Sequence, residues 1–114
     1  MAFRNSAATL NNVDTVIYTC PTNYECVFHS LYFSNLDPLN TIAVEASIEY
    51  NKNPALGTRT VIKNVSIPAG TSLIFDKPIT LRPGDVLRAK CSVAGMCDAI
   101  GSMLLTLEDT TAPN

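Results

Sequence analysis

The sequence contains no tryptophan, a single histidine and few charges: Asp, Glu, Lys and Arg together make up 16% of its 114 residues. Soluble domains commonly carry about 25% charged residues. Because 46% of the residues are hydrophobic, we expect another subunit to cover part of the apolar surface. The net charge is −2 and the basic residues are scattered singly. This argues against a nucleic-acid partner, since phosphate binding requires clustered Lys and Arg.

No hydrophobic run approaches the roughly 20 residues of a membrane-spanning helix, so no membrane partner is expected. The first residues, MAFRNSAATLNN, also lack the apolar core of a secretory signal, which predicts synthesis in the cytoplasm. Residues 1–12 are polar and aperiodic apart from Phe3 and Leu10. We expect them to form an extended N-terminal arm, either disordered or laid on a neighbouring subunit.

Patterns typical of active sites are missing as well. His29 lies in a predicted strand, and no G-x-S-x-G, H-E-x-x-H, Gly-rich phosphate loop or EF-hand spacing occurs. Three aspartates lie at turn signals, where Asp accepts backbone hydrogen bonds: Asp76, Asp85 and Asp98. The sequence therefore predicts neither an enzyme nor a cofactor.

The four cysteines fall in two pairs with the same spacing, Cys20-x5-Cys26 and Cys91-x5-Cys97. Structural zinc sites usually separate paired ligands by two to four residues, so five is a poor fit. Each pair brackets a turn signal, which could bring two strand-end cysteines close to disulfide distance. Three interpretations remain open: small buried apolar side chains, one or more disulfides, or a metal site.

What the chain does contain is a series of short predicted strands. Period-two alternation is clearest over residues 41–50, where every second side chain is apolar, and Pro/Gly reversals occur at residues 68–70 and 83–84. About eight strands, with turn signals every 8 to 12 residues and no helical periodicity, predict an all-β fold. We expect an antiparallel two-sheet β-sandwich, jelly-roll-like, over residues 13–108, followed by a polar C-terminal tail at 109–114.

Several apolar side chains fall on the outward parity of otherwise polar strand faces. A β-bulge near His29 and Ser30 would decide whether Phe28 or Tyr32 belongs to this set. The candidate interface comprises Phe3, Ile17, Phe28, Tyr32, Ile100 and Leu104. A contiguous patch of this kind marks an interface, most often in a homo-oligomer. The alternative is that these are scattered surface residues, which are ordinary in soluble proteins.

Four segments resemble, in their order, the small β-sandwich virion structural proteins of tailed bacteriophages: YTCP at 18–21, LYFSN at 31–35, KNVSIPAGTSL at 63–73 and LRPGDVL at 81–87. The resemblance extends over roughly residues 13–107. It implies a capsid decoration (cement) protein of the virion that binds the major capsid protein or other virion proteins through flat apolar faces. It also implies a homo-oligomer, with a trimer as one option. The four cysteines depart from the family pattern and suggest additional cross-linking.

Two other functions remain open at this point. A neck, tail or fibre-associated virion protein would share the fold and the location in the particle. A small carbohydrate-binding module would stack a sugar on Tyr24, Tyr50 or the loop at residues 51–57, although the chain lacks tryptophan and has only four tyrosines.

Overall fold

The structure, a computed structural model, describes residues 2–107, most of which lie in nine strands. In chain order these are β1 (Ala2–Leu10), β2 (Thr15–Thr19), β3 (Tyr24–Asn35), β4 (Ile42–Glu49), β5 (Thr58–Ile67), β6 (Ser72–Phe75), β7 (Ile79–Leu81), β8 (Val86–Cys91) and β9 (Cys97–Leu107). One turn of 3-10 helix, Pro54–Leu56, precedes β5. The strands β2 to β9 follow the alternation and the Pro/Gly reversals visible in the sequence.

The strands form two antiparallel sheets. The first sheet has the order β1-β9-β3-β6, with β7 also pairing with β3, and the second has the order β2-β8-β4-β5. β6 and β7 pair with successive parts of β3, residues 31–34 and 26–28. They are therefore two halves of one strand, interrupted at residues 76–78. The first is the five-stranded sheet and the second the four-stranded sheet; with β6 and β7 taken together, both have the same number of strand positions. The topology is jelly-roll-like, and the predicted fold class is confirmed.

The first strand differs from the sequence expectation. Residues 2–10, expected as part of an arm, pair with β9 along their whole length, from Ala2 opposite Leu105 to Leu10 opposite Cys97. Only Leu10 in β1 is buried, so the strand lacks the apolar alternation that would have revealed it. Cross-strand pairing rather than burial holds it in the sheet. The expected tail at 109–114 lies outside the described residues.

Two register shifts decide which side chains enter the core. In β3 the register with β9 shifts between Phe28 and Ser30, which is the bulge that the sequence indicated. In β2 the register with β8 skips Ile17. Because a bulge changes the parity of the residues around it, Phe28 and Ile17 both point inward and are 0% and 5% exposed. Their assignment to an interface was therefore wrong.

In the core between the sheets, the Phe28 ring packs directly against the backbone of Gly101. A Cβ at Gly101 of β9 would lie 2.5 Å from Cε2 and 3.0 Å from Cδ2 of Phe28, and 3.1 Å from Cδ2 of Leu31. The Phe28 ring in turn makes an edge contact with Tyr18 of the opposite sheet, with the ring centroids 5.9 Å apart. Glycine at 101 thus gives Phe28 the space to pack across β9.

A buried carboxylate organises the loops at one end of the sandwich. Asp85 is 1% exposed, and its Oδ1 accepts hydrogen bonds from the backbone N–H groups of Asn51 and Lys52 at 2.7 and 3.0 Å. Its Oδ2 accepts a third, from the N–H of Arg82, at 2.9 Å. The turn role expected for Asp85 is confirmed, and the carboxylate also links two separate loops.

Candidate interaction surface

The outer face of the five-stranded sheet carries two neighbouring groups of apolar side chains. We call it the apolar face and define it as Phe3, Ala7, Val27, Tyr32, Ile74, Ile100 and Leu104. Exposure is high for side chains of this size: Phe3 is 76%, Ile74 57%, Ile100 43% and Tyr32 39% exposed. Apolar area of this kind is stabilised when a partner removes it from water.

The pairing registers arrange these side chains in two rows across the sheet. In one row Phe3 is opposite Leu104, which is opposite Val27. In the other row, Ala7, Ile100, Tyr32 and Ile74 follow one another across β1, β9, β3 and β6. Directly opposed side chains on one face of an antiparallel sheet contact each other. The side chains within each row are therefore neighbours, and the two rows lie on either side of an uncharged polar row formed by Asn5, Ser102 and Ser30.

Uncharged hydrogen bonds accompany the two rows. Ser102 Oγ donates to Asn5 Oδ1 at 3.0 Å, and the hydroxyls of Ser34 and Ser72 lie 2.9 Å apart. Because these side chains already hydrogen-bond to each other, a partner that covers them removes few of their hydrogen bonds to water, and the desolvation cost is small.

The charges at the strand positions of this face lie towards its two ends. Glu25, near the Phe3 end, forms an ion pair with Arg82 at 3.0 Å. Asp98, near the other end, accepts a hydrogen bond from the hydroxyl of Thr9 at 2.7 Å. The middle of the face holds His29, whose ring centroid lies 6.1 Å from that of Phe3. A partner can therefore cover the strand positions in the middle without burying a carboxylate, whereas the exposed Asp76 lies at the edge of the face, in the interruption between β6 and β7.

A shallow groove runs beside the second row. Its volume is about 320 Å³, and it is lined by Ala7, Ala8, Thr9, Asp98, Ala99 and Ile100. The small alanine side chains next to Ile100 leave this depression in the surface. A protruding apolar side chain of a partner would fit it.

Four of the six residues predicted at an interface lie together on this face: Phe3, Tyr32, Ile100 and Leu104. The sequence analysis missed Val27 and Ile74. Their parity within β3 and β6 is visible in the sequence, but membership of the face depends on β6 lying beside β3, which local alternation does not reveal.

The outer face of the four-stranded sheet has a different character. Glu45 of β4 lies 2.8 Å from Lys63 Nζ and 3.3 Å from Lys90 Nζ. Glu49 on the same strand lies 3.3 Å from Arg88. The hydrogen bonds from Lys63 first and then from Lys90 hold the pKa of the Glu45 carboxyl below its ordinary value. Such a face is well solvated and has little to gain from being covered.

Across residues 2–107, every buried side-chain nitrogen and oxygen has a hydrogen-bond partner, and no group of three or more His, Cys, Asp or Glu side chains is close enough to hold a metal ion. No helix in this part of the chain is long and apolar enough to cross a bilayer. The apolar face is therefore the candidate functional surface of the described residues.

Comparison with known proteins bears on the fold alone. No protein-family model and no curated protein matches the sequence. Among solved structures, the chain is similar to one from the T13 IBDV viral particle, with a TM-score of 0.55, 15% identity and 94% of this chain covered. It is also similar to one from the Gx strain of infectious bursal disease virus, with a TM-score of 0.56, 18% identity and 97% covered.

The chain spans only about a third of those viral chains, 31% and 30% of their lengths. At a TM-score of 0.44 it also matches a pentameric capsid protein from metagenomic phage sequences, with 17% identity, covering 90% of this chain and 60% of that one. Eiger TNF from S. frugiperda has the same TM-score, with 13% identity, covering 98% of this chain and 90% of that one. The two viral chains with TM-scores above 0.5 show that this chain shares a β-sandwich fold with parts of chains from viral particles.

Proposed function

We propose that the chain is a structural protein of the virion, a capsid decoration protein of a tailed bacteriophage that binds the shell as a homo-oligomer. The observation that carries this proposal is the apolar face. It is an exposed surface whose charged strand positions lie at its two ends, and the described residues contain no group of three or more His, Cys, Asp or Glu that could hold a metal ion. The likeness to chains of viral particles and the resemblance to phage virion proteins support the same assignment.

The chemistry of the face fits a partner that is itself flat and apolar. Burying side chains such as Phe3, Ile74 and Ile100 contributes roughly 25 cal/mol for each Å² of apolar area removed from water. Ion pairs add little to such an interface, so affinity depends on shape and on apolar contact. A second copy of this chain and the surface of a capsid both meet that requirement.

The experiment that tests the proposal combines two measurements on the purified protein. Sedimentation velocity is expected to give a discrete oligomer. Mixing with shells of the phage that encodes the chain, stripped of this protein, is expected to give saturable binding and a higher temperature of shell disruption. A monomer that binds neither shells nor tails would contradict the proposal.

A neck, tail or fibre-associated role is the nearest alternative within the virion. It predicts binding to purified tails and none to shells, so the same mixing experiment separates the two. Immunogold labelling of whole particles with an antibody to the chain gives an independent location: the icosahedral head for decoration, or the tail and its fibres for the alternative.

The carbohydrate-binding alternative has less support in the structure. Of the tyrosines considered for it, Tyr50 is half-buried against the core, and Tyr24 is 38% exposed at the start of β3. Residues 51–57 form an exposed loop apart from half-buried Asn53. Sugar recognition usually requires an exposed aromatic ring with polar groups converging on it. Glycan-array binding that is lost in Tyr24→Ala would establish this function in place of the proposed one.

A further inference from the structure

The first cysteine pair joins the two sheets at one end of the sandwich. Cys20 directly follows β2 of the four-stranded sheet, and Cys26 lies in β3 of the five-stranded sheet. The Sγ of Cys20 lies 3.6 Å from the carbonyl oxygen of Leu81, the residue paired with Cys26 across β3 and β7. It also lies 3.2 Å from the carbonyl oxygen of Tyr24. Both cysteines are buried, so the two sulfurs belong to one small region of the core.

The second pair repeats this arrangement. Cys91 ends β8 of the four-stranded sheet, and Cys97 begins β9 of the five-stranded sheet. The Sγ of Cys91 lies 3.7 Å from the carbonyl oxygen of Leu10, the residue paired with Cys97 across β1 and β9. Both side chains are buried. In each pair, one thiol therefore contacts the backbone of the residue that is the cross-strand partner of the other cysteine.

The two pairs lie at opposite ends of the sandwich. On β9, Cys26 is opposite Leu105, whereas Asn35, at the other end of β3, is opposite Cys97. At about 3.3 Å per residue, the two ends are roughly 26 Å apart along β9. A link within each pair would fasten one sheet to the other at both ends.

We propose that Cys20–Cys26 and Cys91–Cys97 form two disulfides when the folded protein meets an oxidising environment, and that these disulfides clip the two sheets together. With glutathione disulfide as oxidant, one protein thiolate attacks a glutathione sulfur and releases one glutathione thiol. The second protein thiolate then displaces the other glutathione. For each pair, two protein thiols are oxidised to one disulfide and one glutathione disulfide is reduced to two thiols, which take up the two protons.

The burial of the thiols controls when this happens. Burial, followed by the neighbouring Cys20, raises the pKa of Cys26 to about 12, and burial, followed by Cys91 and Asp98, raises the pKa of Cys97 to about 12. Because the thiolate is the reactive form, the pairs stay reduced during brief exposure to oxidant and close slowly. The inference does not depend on the proposed virion function.

The experiment uses the full-length chain, incubated with excess glutathione disulfide and sampled over time. The intact mass is expected to decrease by four hydrogen atoms without adding glutathione. Trypsin leaves both cysteines of the first pair in one peptide, residues 5–52, and both of the second in the peptide that begins at Cys91. Each peptide should lose two hydrogens. A cross-link between the two peptides, persistent glutathione adducts, or thiols that survive an incubation many times longer than the urea-unfolded chain needs for full oxidation would overturn the proposal.

Thermal unfolding gives the second measurement. The oxidised protein is expected to have a Tm higher by on the order of 10 °C, and dithiothreitol should reverse the gain. The matched control is the double variant Cys20→Ala, Cys91→Ala, which keeps Cys26 and Cys97 but removes one member of each pair. Glutathione disulfide should leave its Tm unchanged. An equal gain in the control, or no gain in the oxidised wild type, would show that the sheets are not clipped.

Discussion

Across β9 and β3 the outer surface pairs Ile100 with Tyr32, whereas across β8 and β4 it pairs Lys90 with Glu45. Both sheets bury the same kind of side chain on their inner faces. The inner faces therefore specify the sandwich, and the outer faces specify what each sheet meets. The charged side chains on the outer face of the four-stranded sheet are paired with each other or hydrated. The outer face of the five-stranded sheet exposes apolar area that a partner could bury.

The difference shows that the few charged side chains of a small domain can be concentrated on one of its faces. The ion pairs of the four-stranded sheet place four charged side chains, Glu45, Glu49, Arg88 and Lys90, on β4 and β8. On the five-stranded sheet, the charged positions Glu25 and Asp98 lie towards the ends. The uneven distribution, more than the total of 16% charged residues, distinguishes a face suited to a partner from a face suited to solvent.

The largest expected effect comes from charging the apolar face. Ile100→Glu places a carboxylate in the middle of the second row, where a partner would have to bury it without a counter-charge. We expect the homo-oligomer to weaken by about 100-fold or more, which is about 3 kcal/mol, as measured by sedimentation equilibrium.

The matched control for Ile100→Glu is Ser47→Glu. Ser47 points outward from β4, opposite Arg88, so it adds the same charge to the other face. This variant should assemble like the wild type. Equal weakening in the two variants would remove the distinction between the faces and would favour a general effect of net charge. Circular dichroism of both variants checks that the sandwich is intact.

The next largest expected effect is on the stability of the five-stranded sheet. Gly101→Ala drives a methyl group into the Phe28 ring at 2.5 Å, and overpacking of this kind costs about 1 to 3 kcal/mol. Urea unfolding should report the loss. Ser102→Ala is the control, because it removes one exposed hydrogen bond to Asn5 and should cost less than about 1 kcal/mol. Equal losses would mean that Phe28 moves aside freely.

A smaller effect is expected on the charged face. Glu45→Gln removes the carboxylate that lies between Lys63 and Lys90, and because both lysine side chains are exposed to solvent, its loss should lower the Tm less than Gly101→Ala does. The difference from wild type should shrink in about 1 M salt, where exposed charges are screened. A difference that is independent of salt would indicate lost packing instead of lost ion pairs.

The smallest effect is on pH dependence. The pKa of Glu45 is lowered from 4.5 by Lys63 first and Lys90 second. A carboxyl with a lowered folded-state pKa stabilises the fold above its unfolded-state pKa, and this contribution is lost as the pH falls through the folded-state value. The stability difference between wild type and Glu45→Gln should therefore be constant above about pH 5 and vanish in more acidic solution. Chemical denaturation across this range measures it.

Much of the fold could be predicted from the sequence because β2 to β9 carry their own signals. Ile42, Val44, Ala46 and Ile48 alternate and are all buried, and the bulge near Ser30 follows from two apolar pairs of opposite parity in β3. In β1, by contrast, Leu10 is the one buried residue. Its place in the sheet comes from pairing with β9, about a hundred residues away along the chain, and local patterns do not encode that distance.

The candidate surface could likewise be predicted only as far as local alternation within each strand allows. Ile100 and Leu104 were identified by parity within a regular strand, and Phe3 by its size in a polar segment. Ile17 failed because the irregular pairing at that residue in β2 has no marker in the sequence. Ile74 required the strand order, which places β6 against Tyr32. Parity within a strand is local information, whereas adjacency between strands is not.

The pairing of β1 with β9 has a consequence for biogenesis. Ala2 meets Leu105 and Leu10 meets Cys97, so the earliest described strand leaves the ribosome well before the strand that it pairs with is made. Until then β1 is an unprotected ribbon, and contacts between such distant segments form slowly. On a polysome, unpaired β1 segments of some chains lie near the β9 segments of others. Exchange of β1 between neighbouring chains is therefore the misassembly that we expect of this fold.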